Sequence, residues 1–112
     1  MLSSLSEQEI EKNVGCIAQA MSIIGNKWTA LILRDLFKGE QRFCQLEKSI
    51  PEINPRILSQ RLDYLEDQKI VSITYNPPSS NRKVYTLTKK GEALLPILKS
   101  MADWGLNYRV QE

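Results

Sequence analysis

Apolar residues recur at helical spacing from near the start of the chain. Ile10, Val14, Ile17, Met21 and Ile24 fall on one helical side, and Gly25 ends the run. Ser6-Glu7-Gln8-Glu9 ahead of them has the form of a capping box, in which a serine hydroxyl and a glutamate carboxylate satisfy each other's backbone amides. Gly15 interrupts the pattern, so the spacing fits one helix or two helical pieces. Asn26 caps a helix from residue 27 to about 38, with Trp28, Leu31, Ile32, Leu36 and Phe37 inward and Gly39 as the stop. A short helix over about 42–49 has Phe43, Leu46 and Ile50 on its core side. Asn54 followed by Pro55 opens another helix that runs to about residue 68, because a proline in the first turn loses no hydrogen bond. Two helices joined by the short turn over residues 51–55 predict a helix-turn-helix.

Beyond it the period changes. Val71, Ile73 and Tyr75 alternate with Ser72 and Thr74, as in a half-buried strand. Residues 76–81 are loop-forming, and residues 83–88 are rich in β-branched and aromatic side chains. These make a hairpin with a basic tip. Thr88 caps a last helix over about 89–109, and Pro96 inside it is expected to bend it. The predicted fold is mostly α with a small β-hairpin, a winged helix-turn-helix forming a single domain over residues 1–112.

Composition narrows the chemistry. The 112 residues include no histidine, which removes imidazole bases, histidine-dependent nucleophile pairs and histidine metal ligands. Two cysteines cannot build a four-cysteine metal site, so no metal or cofactor is expected and an enzyme is disfavoured. No run of ~20 apolar residues or export signal is present, which predicts a cytoplasmic protein with no membrane partner. The net charge of +2 is unevenly spread. Residues 1–50 are neutral overall, residues 51–75 carry −1 and residues 76–112 carry +3. Between Asp67 and Glu92 there is no acid, but there are Lys69, Arg82, Lys83, Lys89 and Lys90. Such a segment suits a polyanion, although a solvated loop also accounts for it.

At 100° per residue, Leu58, Leu62 and Leu65 fall within about 60° of one another as the core stripe of residues 54–68. Arg56, Gln60, Asp63 and Asp67 lie opposite, with Ser59 on a flank. The early part of such a helix meets base edges in a major groove. Arginine suits guanine, glutamine suits adenine, and serine suits a base or a phosphate. Arg56, Ser59 and Gln60 are therefore the candidate readers, the competing reading being a solvated face. Arg61 lies beside the stripe and is expected to pair with a local carboxylate or a phosphate. Asn81, Arg82 and Lys83 at the hairpin tip are candidates for a minor groove, with Lys89 and Lys90 weaker phosphate candidates. A winged helix that binds only protein, and a cysteine-based peroxidase, are the alternatives from other classes.

Several segments carry a resemblance: Cys16-Ile17-Ala18, Ile24-Gly25-Asn26-Lys27-Trp28-Thr29, residues 31–36, Arg42-Phe43, residues 53–62, Tyr85-Thr86-Leu87-Thr88, Lys90-Gly91 and Ala102-Asp103-Trp104-Gly105. In this order they resemble HxlR-type bacterial transcription regulators, relatives of the MarR group, over about residues 16–105. The resemblance implies a homodimer bound to double-stranded DNA, with dimerisation helices over about 7–24 and 89–109. Leu94, Leu95, Ile97, Leu98, Met101, Trp104, Leu106 and Tyr108 support this independently, covering more of the last helix than one core stripe needs. Twofold symmetry would set two recognition helices ~34 Å apart on a pseudo-palindromic operator. The resemblance also places Cys16 where some members carry a thiol sensing oxidants or electrophiles. The family often has proline at the position of Ile17, and Ile17 is expected to let the helix run through Cys16. Were it continuous, Lys12 would lie one turn before the thiol. Asn26 stands where a second glycine is common, and Cys44 where serine or asparagine is.

Overall fold

The structure is a computed structural model that describes residues 6–75 and 82–109. Seven helices and two strands follow in the order α1 (Glu7–Lys12), α2 (Val14–Ile24), α3 (Lys27–Leu36), α4 (Phe43–Ser49), α5 (Pro55–Asp67), β1 (Val71–Tyr75), β2 (Lys83–Leu87), α6 (Lys89–Glu92) and α7 (Leu95–Tyr108). The capping box forms as read: the Ser6 hydroxyl accepts from the Glu9 amide at 3.1 Å. The first apolar run is two helices, and the break falls at Asn13 rather than Gly15. Asn13 donates both its backbone amide and its side-chain amide to the Glu9 carbonyl, at 3.1 and 2.9 Å, closing α1 locally. At Gly25 the chain turns, and α2 and α3 meet at 77°. Among the described residues no single helix is long and apolar enough to cross a membrane.

Asn26 caps α3 by accepting from the Trp28 and Thr29 amides at 2.9 and 3.3 Å. Ile32, Leu33 and Leu36 of α3 are buried, while Trp28, Leu31 and Phe37 are partly buried against the same core. Leu46 and Ile50 from the α4 segment join Leu58, Leu62 and Leu65 of α5 and Ile70 and Val71 at the start of β1. The strands pair antiparallel, from Val71 opposite Leu87 to Tyr75 opposite Lys83. A further antiparallel bridge, between Gln41 and Tyr85, ties the α3–α4 loop to the wing.

The last helix departs from expectation. It is broken at residues 93–94 into α6 and α7, and Pro96 lies in the first turn of α7 instead of bending a continuous helix. In that turn its missing amide has no intrahelical partner to lose. No residue of α7 is buried, and Met101, Trp104, Leu106 and Tyr108 are 50–67% exposed. Ile10, Val14, Ile17 and Met21 of α1 and α2 are likewise exposed. Their spacing marks an apolar side that this chain alone leaves uncovered.

Candidate nucleic-acid interface

The turn before α5 sets the site. Asn54 is extended and its side chain accepts from the Ile57 amide at 2.8 Å, with Pro55 opening the helix. Leu58, Leu62 and Leu65, with exposures of 0, 1 and 0%, fix the rotation of the helix against the core. Arg56, Ser59 and Gln60 are all exposed on the side turned outward. Among the described residues none of these three side chains has a hydrogen-bond or ion-pair partner. Asp63, Glu66 and Asp67 occupy the later, also exposed, half of α5. A phosphate backbone is repelled there, which favours an approach through the first turns.

In the wing, Arg82 and Lys83 are exposed at the start of β2. Asn81, the third wing candidate, lies outside the described residues. Tyr85 beside them is buried, and burial pushes its phenol up; Lys83 opposes this and Asp63 and Glu66 add to it, so the ring is neutral at physiological pH. Lys89 is exposed, whereas Lys90 donates to the Gln68 carbonyl at 2.8 Å, where a cation offsets the carbonyl end of α5. That bond commits Lys90 to the fold.

Among the described residues Arg61 pairs with no carboxylate. Its Nη2 donates to the Thr29 hydroxyl at 2.7 Å, and its guanidinium lies over the Tyr64 ring at 4.6 Å. Thr29 is completely buried, so the arginine reaches across the edge of the core and locks α5 to α3. A charge at the margin of an apolar stripe was the signal. Its buried acceptor comes from a helix 32 positions away in sequence, which local patterns do not report. Sequence reasoning also passed over Asp35, 2% exposed, which meets Arg34 at 3.1 Å and Lys38 at 3.7 Å. Burial raises its carboxyl pKa, but the Ser49 hydroxyl and the Arg34 and Lys38 charges outweigh this, holding it below the ordinary value.

Known proteins share this arrangement. The HxlR-like helix-turn-helix family profile matches residues 23–112. The HTH-type transcriptional regulator YvaP of Bacillus subtilis is 38% identical over 90 residues, spanning 80% of this chain and 83% of YvaP. The reduced form of the transcriptional regulator YodB from B. subtilis superposes with a TM-score of 0.77 at 30% identity, covering 94% of this chain and 95% of YodB. A quinone-bound YodB structure superposes with a TM-score of 0.72 at 32% identity, over 84% of this chain and 99% of that one. The chain belongs to the HxlR-like helix-turn-helix family. Its function is transcriptional regulation rather than catalysis, and membership implies DNA binding.

In this HxlR-like regulator, Cys16 is exposed and is the third residue of α2. Ile17 lets α2 run through Cys16, but the thiol keeps a helix-start position. A new helix opens at Val14, so Cys16 sits in a first turn, whose amides lack intrahelical acceptors. Lys12 is separated from it by the break at Asn13. A cation instead reaches the thiol's surroundings through Lys90, which lines the same groove of about 380 Å³ with Gln19, Ala20, Ile23, Ile70 and Leu94. Cys44 is exposed on α4.

Proposed function

We propose that this regulator works in the cytoplasm as a homodimer that reads a pseudo-palindromic operator. Arg56, Ser59 and Gln60 contact base edges or phosphates, and Asn81, Arg82 and Lys83 of the wing reach a neighbouring minor groove. The observation that carries the reading is the asymmetry of α5: three leucines sealed in the core on one side, and three unpartnered polar side chains at its start on the other. Support for the dimer comes from the exposed apolar residues of α1, α2 and α7, including Trp104 and Tyr108, whose rings lie 5.2 Å apart. In this reading residues 1–112 form one winged-helix domain whose outer helices, about 7–24 and 89–109, join the two copies.

Cys16 is the proposed sensor. Cys16 is exposed in the first turn of α2, on a groove it shares with Lys90, so its sulfur is open to a small electrophile. Addition to a quinone forms a carbon–sulfur bond and gives a hydroquinone thioether, with the thiol proton and the displaced ring proton ending on the two oxygens. The existence of a quinone-bound YodB supports this electrophile class.

Selection of bound sequences from a random duplex pool, with and without benzoquinone, tests the reading. Expected are paired half-sites about one helical turn apart, and quinone-dependent release that Cys16→Ser abolishes. Arg56→Ala should cost ~1–3 kcal/mol and relax preference at one position of each half-site. Unchanged affinity and preference in Arg56→Ala would reject this reading face, and quinone-dependent release from Cys16→Ser would reject the sensor.

A further inference from the structure

The loop after α3 and the root of the wing are joined by backbone hydrogen bonds. Gln41 donates its amide to the Tyr85 carbonyl at 3.0 Å and accepts from the Tyr85 amide at 2.7 Å. Its side chain donates to the Asp35 carbonyl at 3.0 Å, so the loop is anchored to α3 as well. The next residue, Arg42, caps α4, and its amide is held by the Gln45 side chain at 2.7 Å. Arg42 and Arg82 line one groove of about 300 Å³, together with Glu40, Gln41, Gln45 and Val84. Among the described residues neither guanidinium has a hydrogen-bond or ion-pair partner. Even counting Glu40, the lining carries a net +1 from two arginines and one glutamate.

Two arginines left unpaired beside one groove can take an anion of matching geometry. A guanidinium is a planar fork that fits phosphate oxygens in pairs. The position selects the source of that phosphate. When a recognition helix enters a major groove, the preceding helix crosses the sugar–phosphate backbone. Arg42 stands at the start of that preceding helix and Arg82 on the wing, just before β2. Arg42 is also only half-exposed, so part of its rotamer freedom is already lost before binding.

The geometry points to a clamp in which Arg42 and Arg82 grip one phosphate of the DNA backbone, independently of sequence. The Gln41–Tyr85 bridge makes the clamp rigid, and the clamp sets the register in which the start of α5 meets the bases. This assignment rests on the reading that α5 faces the duplex. It adds Arg42, which base-reading arguments passed over, and gives Arg82 a phosphate rather than a minor-groove base edge.

Fluorescence anisotropy with an operator duplex recovered by selection tests it, each phosphate being replaced in turn by a neutral methylphosphonate. The wild type is expected to lose about tenfold in affinity at one position per half-site, as for a charged hydrogen bond. Arg42→Met should weaken the operator and an unrelated duplex by the same factor of about ten and lower the salt slope by about one per protomer. It should also become blind to the neutral linkage at that position. Arg82→Met should be blind to the same position, and unchanged melting temperatures exclude misfolding as the cause. Wild-type affinity and salt slope in Arg42→Met, or retained sensitivity to that linkage, would overturn the clamp alone. Weakened binding in Arg42→Met with no effect of Arg56→Ala would keep the clamp and remove Arg56 as a base reader. A wild type that binds no duplex would remove both.

Discussion

Substitution of Gly91 by alanine sets two known effects against each other. Gly91 lies in α6, where alanine is favoured over glycine by ~1 kcal/mol through backbone entropy alone. Packing argues the opposite. A Cβ on Gly91 would stand 2.3 Å from the Ile70 carbonyl oxygen and 3.0 Å from Leu87 Cδ2. Carbon–oxygen contacts normally close no nearer than ~3.3 Å, so about 1 Å of movement is required. The obstacle is backbone, and it is already bonded: the Ile70 carbonyl accepts from the Thr88 amide at 3.0 Å and from the Thr88 hydroxyl at 3.2 Å. The Thr88 hydroxyl in turn accepts from the Gly91 amide at 3.1 Å. Overpacking of this kind costs ~1–3 kcal/mol, and weakening one or two of these bonds adds ~1 kcal/mol each. After the propensity gain, Gly91→Ala should lose about 2–3 kcal/mol, or roughly 10 °C in melting temperature for a domain of this size.

The assay is urea unfolding followed by tryptophan fluorescence and circular dichroism at one protomer concentration, because association would otherwise shift the midpoint. Gly15→Ala is the matched control. Gly15 is also helical, but its Cβ would meet nothing within 4 Å. That variant should hold or gain up to ~1 kcal/mol. If Gly91→Ala were as stable as the wild type, the close approach of α6 to the backbone at Ile70, just before β1, would not be a real constraint. The Lys90-Gly91 pair would then need another explanation.

Two further outcomes test the interior. Thr29→Val keeps the volume but removes the hydroxyl that accepts from Arg61 Nη2, so it should cost ~1–3 kcal/mol in urea unfolding; Thr29→Ser, which keeps the hydroxyl, should cost less, and equal losses would show that the methyl group and not the bond matters. Because the folded state holds Asp35 below its ordinary carboxyl pKa, its contribution is complete above that ordinary value and fades as pH falls through the lowered one. Urea midpoints measured from pH 7 down to pH 2.5 should fall less steeply below about pH 4 in Asp35→Asn than in the wild type; parallel curves would mean that this carboxyl does not titrate differently on folding.

What was legible in the sequence is what local chemistry determines. Asn26, Asn54 and Thr88 each cap the helix that follows, with their side-chain oxygens accepting the amides expected of a cap. Leu58, Leu62 and Leu65 are buried because three leucines on one helical side leave no other rotation that removes them from water. Where the reading failed, the deciding partner was distant or two local signals competed. Gly15 drew attention as the weak point of the first helix, yet Asn13 broke it, because an amide side chain bonding back to Glu9 ends a helix more decisively than a glycine loosens one. Pro96 alone predicts a bend inside a helix, but the chain breaks two residues earlier, so the proline falls in the first turn of a new one.

The apolar stripes of α1, α2 and α7 illustrate a more general limit. Their spacing identifies a side that leaves water, but periodicity does not say what covers it. Ile24 on α2 is buried by its own chain, while Met21, one turn before it on the same helix, is 62% exposed. Both belong to one uninterrupted sequence pattern. The division between them falls where the α2 helix leaves the body of the domain, and only three-dimensional packing locates that point. The same reasoning separates the two kinds of arginine in the fold. Arg61 and Arg42 are both half-exposed, but Arg61 donates from Nη2 to a buried hydroxyl and lies over a ring of its own chain, whereas Arg42 opens onto a groove with another unpaired arginine. A charge whose partner lies within the fold organises the helix that carries the reading face. One left without such a partner is, in the clamp proposed above, free to meet a phosphate.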